Sequence, residues 1–312
     1  MIKKPKHLSG KIWYLLKESF FEFNNDNVLK LSASLSYFTI FSLPPLLIII
    51  IYLCGFFFGA EAVKGEIFGQ INGIVGNDAA IQIQEMIKNA KRSNNNFFAA
   101  TIGIITLLLG ASGVFAEIQD SINFIWGLRA KPKKGLIKFL KNRLMSFSMI
   151  GSIGFLLLVS LIINSVMDVI SKRLEVFIPA ISVSFLYAVN IAEVFIIITL
   201  LFTVIFRTLP DGKVAYKDAI IGAAFTALFF MGGKVAIGAY LGSSSIASSY
   251  GVAGSLIVIL LWVYYSAVIL YFGAEFTKVY SLAFGKKIIP NNYAVYIEKE
   301  KIEIQPAVVR TD

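Results

Sequence analysis

The stretch Ser255–Phe276, SLIVILLWVYYSAVILYFGAEF, holds no carboxylate, amine or guanidinium until Glu275, next to its end. A run of that length and polarity is what an α-helix needs to cross a hydrocarbon core about 30 Å thick. Comparable apolar runs precede it, which places spans at about 30–57, 97–127, 143–168, 179–206, 218–241 and 251–280. No water competes for backbone N–H and C=O groups in lipid, so each span has to satisfy its own as a helix. The expected fold class is all-α, a polytopic membrane protein with six transmembrane helices and amphipathic interfacial helices. Composition agrees, with 57% hydrophobic and 15% charged residues against roughly 45–50% and 25% in soluble domains. The mean hydropathy is +0.74.

The spans divide the chain into three expected regions. Residues 1–29 form a cytoplasmic N-terminal amphipathic helix, 30–285 the six-helix domain, and 286–312 a cytoplasmic disordered tail. In the first region, Ile12, Leu15, Leu16, Ser19, Phe20 and Phe23 recur at helical spacing, flanked by Trp13, Tyr14 and lysines. That pattern suits a helix lying in the membrane interface. Asp26 stands where an N-cap would open the first span. No signal peptide is expected, because the first span is too long for an h-region.

Orientation follows from the basic residues. The loop at 128–142 and its border carry Arg129, Lys131, Lys133, Lys134, Lys138, Lys141 and Arg143 with no acidic residue between them. The long loop 59–96 balances both signs and reads as two short helices on the extracytoplasmic face, over a cavity or resting in the interface. Both termini are therefore expected in the cytoplasm. The net charge of +10 is mostly an orientation signal and an attraction to anionic headgroups. Arg129, Lys131, Lys133 and Lys134 are the expected headgroup contacts, and no nucleic-acid partner is expected.

A single cysteine, Cys54, and a single histidine, His7, exclude an intrachain disulfide and a Cys/His zinc cluster. No G-x-x-x-x-G-K-[ST] phosphate loop is present. No cofactor, metal site or catalytic residue is expected.

Polar residues inside the spans are the candidate site. Pro44 and Pro45 lack N–H donors and should kink or break the first span. In the second span, Gly103, Thr106, Gly110, Gly113, Glu117 and Asp120 follow at steps of three or four, a small-residue face ending in acids. The fourth carries Asn190 and Glu193 one turn apart, then Thr199, Thr203 and Arg207. At 1.5 Å per residue, Glu193 lies ~20 Å along its helix, near the bilayer middle. Lys234 lies in the fifth span beside Thr226 and Gly238 on one face. A charge there costs ~2.5–3.5 kcal/mol on insertion scales, so Glu193 and Lys234 should face the interior, paired with each other or with other polar groups. Tyr264, Tyr271 and Glu275 share one side of the sixth span. Glu275 falls ~36 Å along that helix, close to the cytoplasmic interface. Each stripe has a bland reading as tight packing or a static bridge and a sharper one as a polar path. No internal repeat is evident.

Three segments carry a resemblance. LSASLSYFTIFSLPPLLIII, LLLGASGVFAEIQDSINFIWG and SSYGVAGSLIVILLWVYYSAVILYFGAEF resemble signature segments of the YihY/virulence factor BrkB family, formerly labelled ribonuclease BN. The similarity runs from about Lys11 to Lys287 in the same six-span order. It implies a bacterial plasma (inner) membrane protein, multi-pass, with cytoplasmic termini, from a family linked to envelope functions, serum resistance and transport. It supplies no agreed catalytic residues.

Two functions from different classes follow. One is a transporter or flippase-like protein moving a small polar solute or a lipid-linked substrate through a polar cavity. The other is a non-transporting envelope scaffold or assembly factor, with lipids and a further protein as partners. Self-association is compatible with both. A ribonuclease is set aside, because metal-dependent phosphodiester cleavage needs clustered ligands around an activated water and the acids here are dispersed.

Overall fold

The computed structural model describes residues 8–42, 113–131, 182–243 and 252–298. Helix α1 (Leu8–Asn25) leads through a tight turn into α2 (Val28–Ser42). The turn is made by Asn27, whose φ of 51° is left-handed, a conformation asparagine tolerates better than most residues. Its carbonyl accepts from Lys30 N at 2.9 Å and Leu31 N at 3.3 Å, which opens α2 in a new direction. Helix α3 is described over residues 113–125 and ends at Gly127, whose φ of 64° swings the chain into strand β1 (Leu128–Ala130).

The long apolar helices follow. They are α4 (Ser182–Thr208), α5 (Tyr216–Ser243) and α6 (Val252–Ala283), with the short strand β2 (Gly212–Lys213) in the α4–α5 connection. Strands β3 (Ile289–Pro290) and β4 (Ala294–Tyr296) come after α6. Three helices are long and apolar enough to cross a membrane among the described residues, over Ala188–Thr208, Tyr216–Tyr240 and Ile257–Ala283. They match the expected fourth, fifth and sixth spans. The Pro44–Pro45 break, the loop 59–96, the third span and the charges at Lys133 and Lys134 lie outside the described residues.

Antiparallel α5 and α6 meet through two five-residue segments that agree at four positions. Residues 222–226 read GAAFT and residues 273–277 read GAEFT. A Cβ on Gly222 would overlap the Thr277 hydroxyl, and a Cβ on Gly273 would overlap that of Thr226. Each threonine bonds its own helix, Thr226 Oγ1 to Gly222 O and Thr277 Oγ1 to Gly273 O, both at 2.7 Å. With its hydrogen spent within its own helix, each hydroxyl sits in the glycine notch opposite. Phe225 and Phe276 stack beside the crossing, centroids 3.8 Å apart, and Ala223 and Ala274 are fully buried. Small residues that let backbones approach are what hold helices together where lipid supplies no hydrophobic drive. This repeat was not evident in the sequence, because five residues among many apolar ones carry little pattern.

The fold is mostly helical rather than purely so. At one end of the bundle β1 pairs antiparallel with β4, Leu128 opposite Tyr296, and β2 pairs with β3, Gly212 opposite Pro290. Asn291 N donates to Asp211 O at 2.9 Å and Lys131 N to Tyr293 O at 2.7 Å. The disorder expected from residue 286 onward therefore does not extend over 289–296. Its charge-rich composition suggested a free tail, but the main chain finds partners at the α3 exit and in the α4–α5 connection.

Candidate functional site

Two buried polar constellations lie toward the strand-bearing end. The first is a clasp. Asp211, in the α4–α5 connection and 2% exposed, accepts from Gln119 Nε2 at 2.9 Å and Asn123 Nδ2 at 3.0 Å. Asn123 Oδ1 in turn accepts from Asp211 N at 2.7 Å. Gln119 and Asn123 stand one turn apart on α3, so one carboxylate ties that helix to α4 and α5. Trp126 Nε1 adds a bond to Ala274 O of α6 at 3.0 Å. Each of these polar groups has a partner, as buried ones need, and nothing in the clasp is left over for a ligand.

The second lies at the seam between α1 and α6. Ser19, Glu22 and Asp26 recur at steps of three and four, so α1 turns them to one side. On α6, Glu275 and Lys278 are neighbours at i and i+3. The seam is sealed by buried Leu15, Phe276 and Val279, with Ile221, Phe225, Tyr280 and Phe284 around them. Lys278 Nζ lies 2.6 Å from Glu22 Oε2, 3.4 Å from Glu275 Oε2 and 3.6 Å from Asp26 Oδ2. One oxygen from each acid falls within 4.8 Å of the others. The Glu275 side chain is 0% exposed and that of Glu22 28%. A cleft of about 260 Å³, lined by Tyr14, Glu18, Glu22, Lys278, Val279 and Leu282, opens beside them. Glu275 is ~12 Å and Lys278 ~8 Å from the last residue of α6 at 1.5 Å per residue. The seam thus sits toward the C-terminal end of α6, with Glu22 partly exposed beside the cleft.

The sequence-derived residues are distributed unevenly around this centre. Glu275 is in it, and Tyr271, one turn earlier, is fully buried with Glu117 and Asp120 of α3 within electrostatic reach. Glu117 is half-buried and Asp120 exposed, and Tyr264, further along α6, is half-buried. Arg207 leaves the expected stripe. Its guanidinium donates to Val214 O and lies 3.2 Å from the Tyr216 ring centroid. Arg129 and Lys131 are exposed at β1 and just past it.

Glu193 and Lys234 are not paired with each other among the described residues. From the ends of their helices at the α4–α5 connection they stand at ~22 Å and ~27 Å, so depth does not separate them. Direction does. Lys234 is exposed, and so are its neighbour Val235 and, on α4, Asn190, Ile191 and Val194. Glu193 is half-buried, and both its carboxylate oxygens are buried without a hydrogen-bond partner.

The residues that sequence reasoning missed are Glu22, Lys278, Asp211, Gln119 and Asn123. Asp26 had been read only as a helix cap. A usable signal existed for the seam, since acids at 22 and 26 share the buried side of α1 with Leu15 and Ser19. Asp211 offered none, because its partners lie about ninety residues away.

Comparison with known proteins bears on most of the chain. No solved structure matches it significantly. A relative from Teredinibacter turnerae, a "UPF0761 membrane protein", is 25% identical over 289 residues, covering 89% of this chain and 62% of the relative. One of the same name from Psychromonas ingrahamii is 27% identical, covering 81% and 82%, and one from Saccharophagus degradans is 26% identical, covering 82% and 57%. The chain therefore spans less than two thirds of the first and third of these relatives. Neither their names nor the family description indicates an enzymatic activity. The family model described as "Virulence factor BrkB" matches residues 19–292, so this integral membrane protein belongs to the virulence factor BrkB family.

Proposed function

We propose that the protein is a transporter or flippase-like protein of the bacterial plasma membrane, moving a small polar solute or a lipid-linked substrate. The observation that carries this reading is Glu275, wholly buried within a helix apolar enough to span a membrane, beside three further ionisable groups and an open cleft. Buried ion pairs are often no better for stability than well-packed apolar residues of the same volume. Intramembrane charges tend instead to mark substrate or ion routes. Glu193, with both oxygens unpartnered, belongs to the same proposed path, together with Glu117, Asp120, Asn190, Lys234, Tyr264 and Tyr271. Arg207 is turned to the α4–α5 connection, at the mouth of that path. Exposed Arg129, Lys131, Lys213, Lys286 and Lys287 gather at the strand-bearing end, which supports a cytoplasmic placement for that end and contact with anionic headgroups.

The test is flux. Vesicles or cells carrying equal membrane amounts of wild type, Glu275→Gln, Glu193→Gln and Lys234→Met should show loss of substrate movement in the first variant and reduction in the others. Wild-type flux in all three sinks the reading.

A scaffold role is the second reading, favoured by Lys278 drawing acids of α1 and α6 together as a static bracket would. In that case Arg129→Glu with Lys131→Glu would impair the cellular phenotype more than Glu275→Gln.

A further inference from the structure

The seam between α1 and α6 holds more acid than base. Glu22, Asp26 and Glu275 each bring an oxygen within 4.8 Å of the others, and Lys278 is the cation among them. With all four groups ionised, three negative charges and one positive leave the cluster at −2. Like charges crowded into a buried site cannot all ionise near neutral pH; one carboxyl keeps its proton.

Exposure sets Glu22 apart, and of the two buried acids Glu275 has none while Asp26 keeps 6%. Glu22 takes the short bond from Lys278 at 2.6 Å and is the most exposed acid, so its charge is both matched and solvated. Glu275 has no exposure, its Oε2 is 3.4 Å from Lys278, and its Oε1 has no hydrogen-bond partner. An unprotonated carboxylate offers only acceptors. Once protonated, Glu275 becomes a donor, and Asp26 is the acceptor within its reach. A metal ion suits the place less well, because the Lys278 ammonium already stands among the three acids.

Among the described residues, Lys278 is the cation acting on Glu275, while Lys11 of α1 lies over the Phe284 ring, 5.6 Å from its centroid. Beside the seam α5 presents Ile221 and Phe225. One turn along α6 lies the neutral phenol Tyr271, with two more acids, Glu117 and Asp120, on the α3 side. On α1, Tyr14 and Glu18 line the cleft and lead outward from Glu22 and Lys278.

The geometry points to a proton-binding site in which Glu275 carries one exchangeable proton, hydrogen-bonded to Asp26 and supplied from water through the Tyr14–Glu18–Glu22 cleft. Uptake forms an O–H bond on Glu275 and takes the cluster from −2 to −1. Release returns the proton to the same water, and no other bond changes. The site stands whether or not the protein moves a solute.

Infrared difference spectroscopy on the full-length protein in lipid nanodiscs, titrated through the neutral range in H₂O and D₂O, reads the C=O stretch of a protonated carboxyl directly. The expected result is a titrating, deuterium-sensitive band in wild type. It is lost in Glu275→Gln, moved in frequency in Asp26→Asn and retained in Glu22→Gln. Absence of the band, or its persistence unchanged in Glu275→Gln, overturns the proposal. Should Glu275→Gln fail to fold, judged by monodispersity and helix content, Asp26→Asn carries the test, and an unmoved band there overturns it equally. A titrating band in a protein that moves no substrate would keep the proton site and remove the transport reading.

Discussion

The two ends of the long helices are built on different terms. Toward the strand-bearing end, the residues of α3, α4 and α6 interlock: Ile122, Ile125, Phe206 and Tyr271 are fully buried, and Asp211, Gln119 and Asn123 answer one another's polar atoms. At the far halves of α4 and α5, the described side chains are largely exposed, Asn190, Ile191, Val194, Lys234, Val235 and Tyr240 among them. A side chain added at Gly232 or Gly238 would meet nothing within 4 Å. The lesson concerns where stability resides. Near the strands the Asp211 clasp has its polar groups answered by protein and Gly222 and Gly273 are filled by neighbours, while in the far half Gly233 packs on Tyr265 but Gly232, Gly238 and the side chains named above meet their surroundings directly. Such unevenness is the usual basis for local opening in one part of a structure while another stays shut.

Three comparisons between variants break or sharpen this contrast. The largest effect is expected from Lys278→Met, which strands the buried acids Glu275 and Asp26 without their cation. Removing one partner of a buried pair costs about 3–5 kcal/mol. Lys234→Met, at an exposed position, should stay within about 0.5 kcal/mol. Unfolding in a graded denaturing detergent, followed by helix signal, measures both, and equal losses would dissolve the contrast. Next is Gly273→Val at the helix crossing, where the new side chain would overlap Thr226. Overpacking of this kind costs about 1–3 kcal/mol. A paired Thr226→Ala should recover part of it in the same assay. Smallest, and opposite in sign, is Gly238→Ala. Open space there leaves only the gain in helix propensity, about 0.5–1 kcal/mol. A melting temperature lowered as far as in Gly273→Val would show that the far half is as tightly enclosed as the near one.

The sequence was most legible where a long regular period existed. The apolar runs gave α4, α5 and α6 within a few residues, and Asp26 marked the joint between α1 and α2. The side of α1 was only half readable. Leu15, Ser19 and Phe23 are buried, but Ile12 and Phe20, on the same expected stripe, are 52% and 60% exposed. An amphipathic helix in contact with both protein and lipid has apolar residues on two faces, and periodicity alone does not say which is which. Glu275 was found because a carboxylate in an apolar run is conspicuous. Lys278 was not, since it follows the acid at the polar end of the run, where a lysine is unremarkable. The expected Glu193–Lys234 pairing rested on shared depth, which the helices do provide, but charge and height do not fix rotation about the helix axis. Strands of two or three residues have no period to read, so the β1–β4 and β2–β3 ladders were invisible until their partners stood side by side.

That ladder has a consequence for how the molecule is made. β1 leaves α3 early in the chain, and the residues it hydrogen-bonds, Ala294–Tyr296, are translated only after every described helix. A nascent polypeptide with all of those helices already inserted still lacks the segment that closes this end, so closure waits until residues 294–296 have been made. A stop codon just ahead of Ala294 would spare each described helix yet leave β1 as a bare edge, open to pairing with a neighbouring copy.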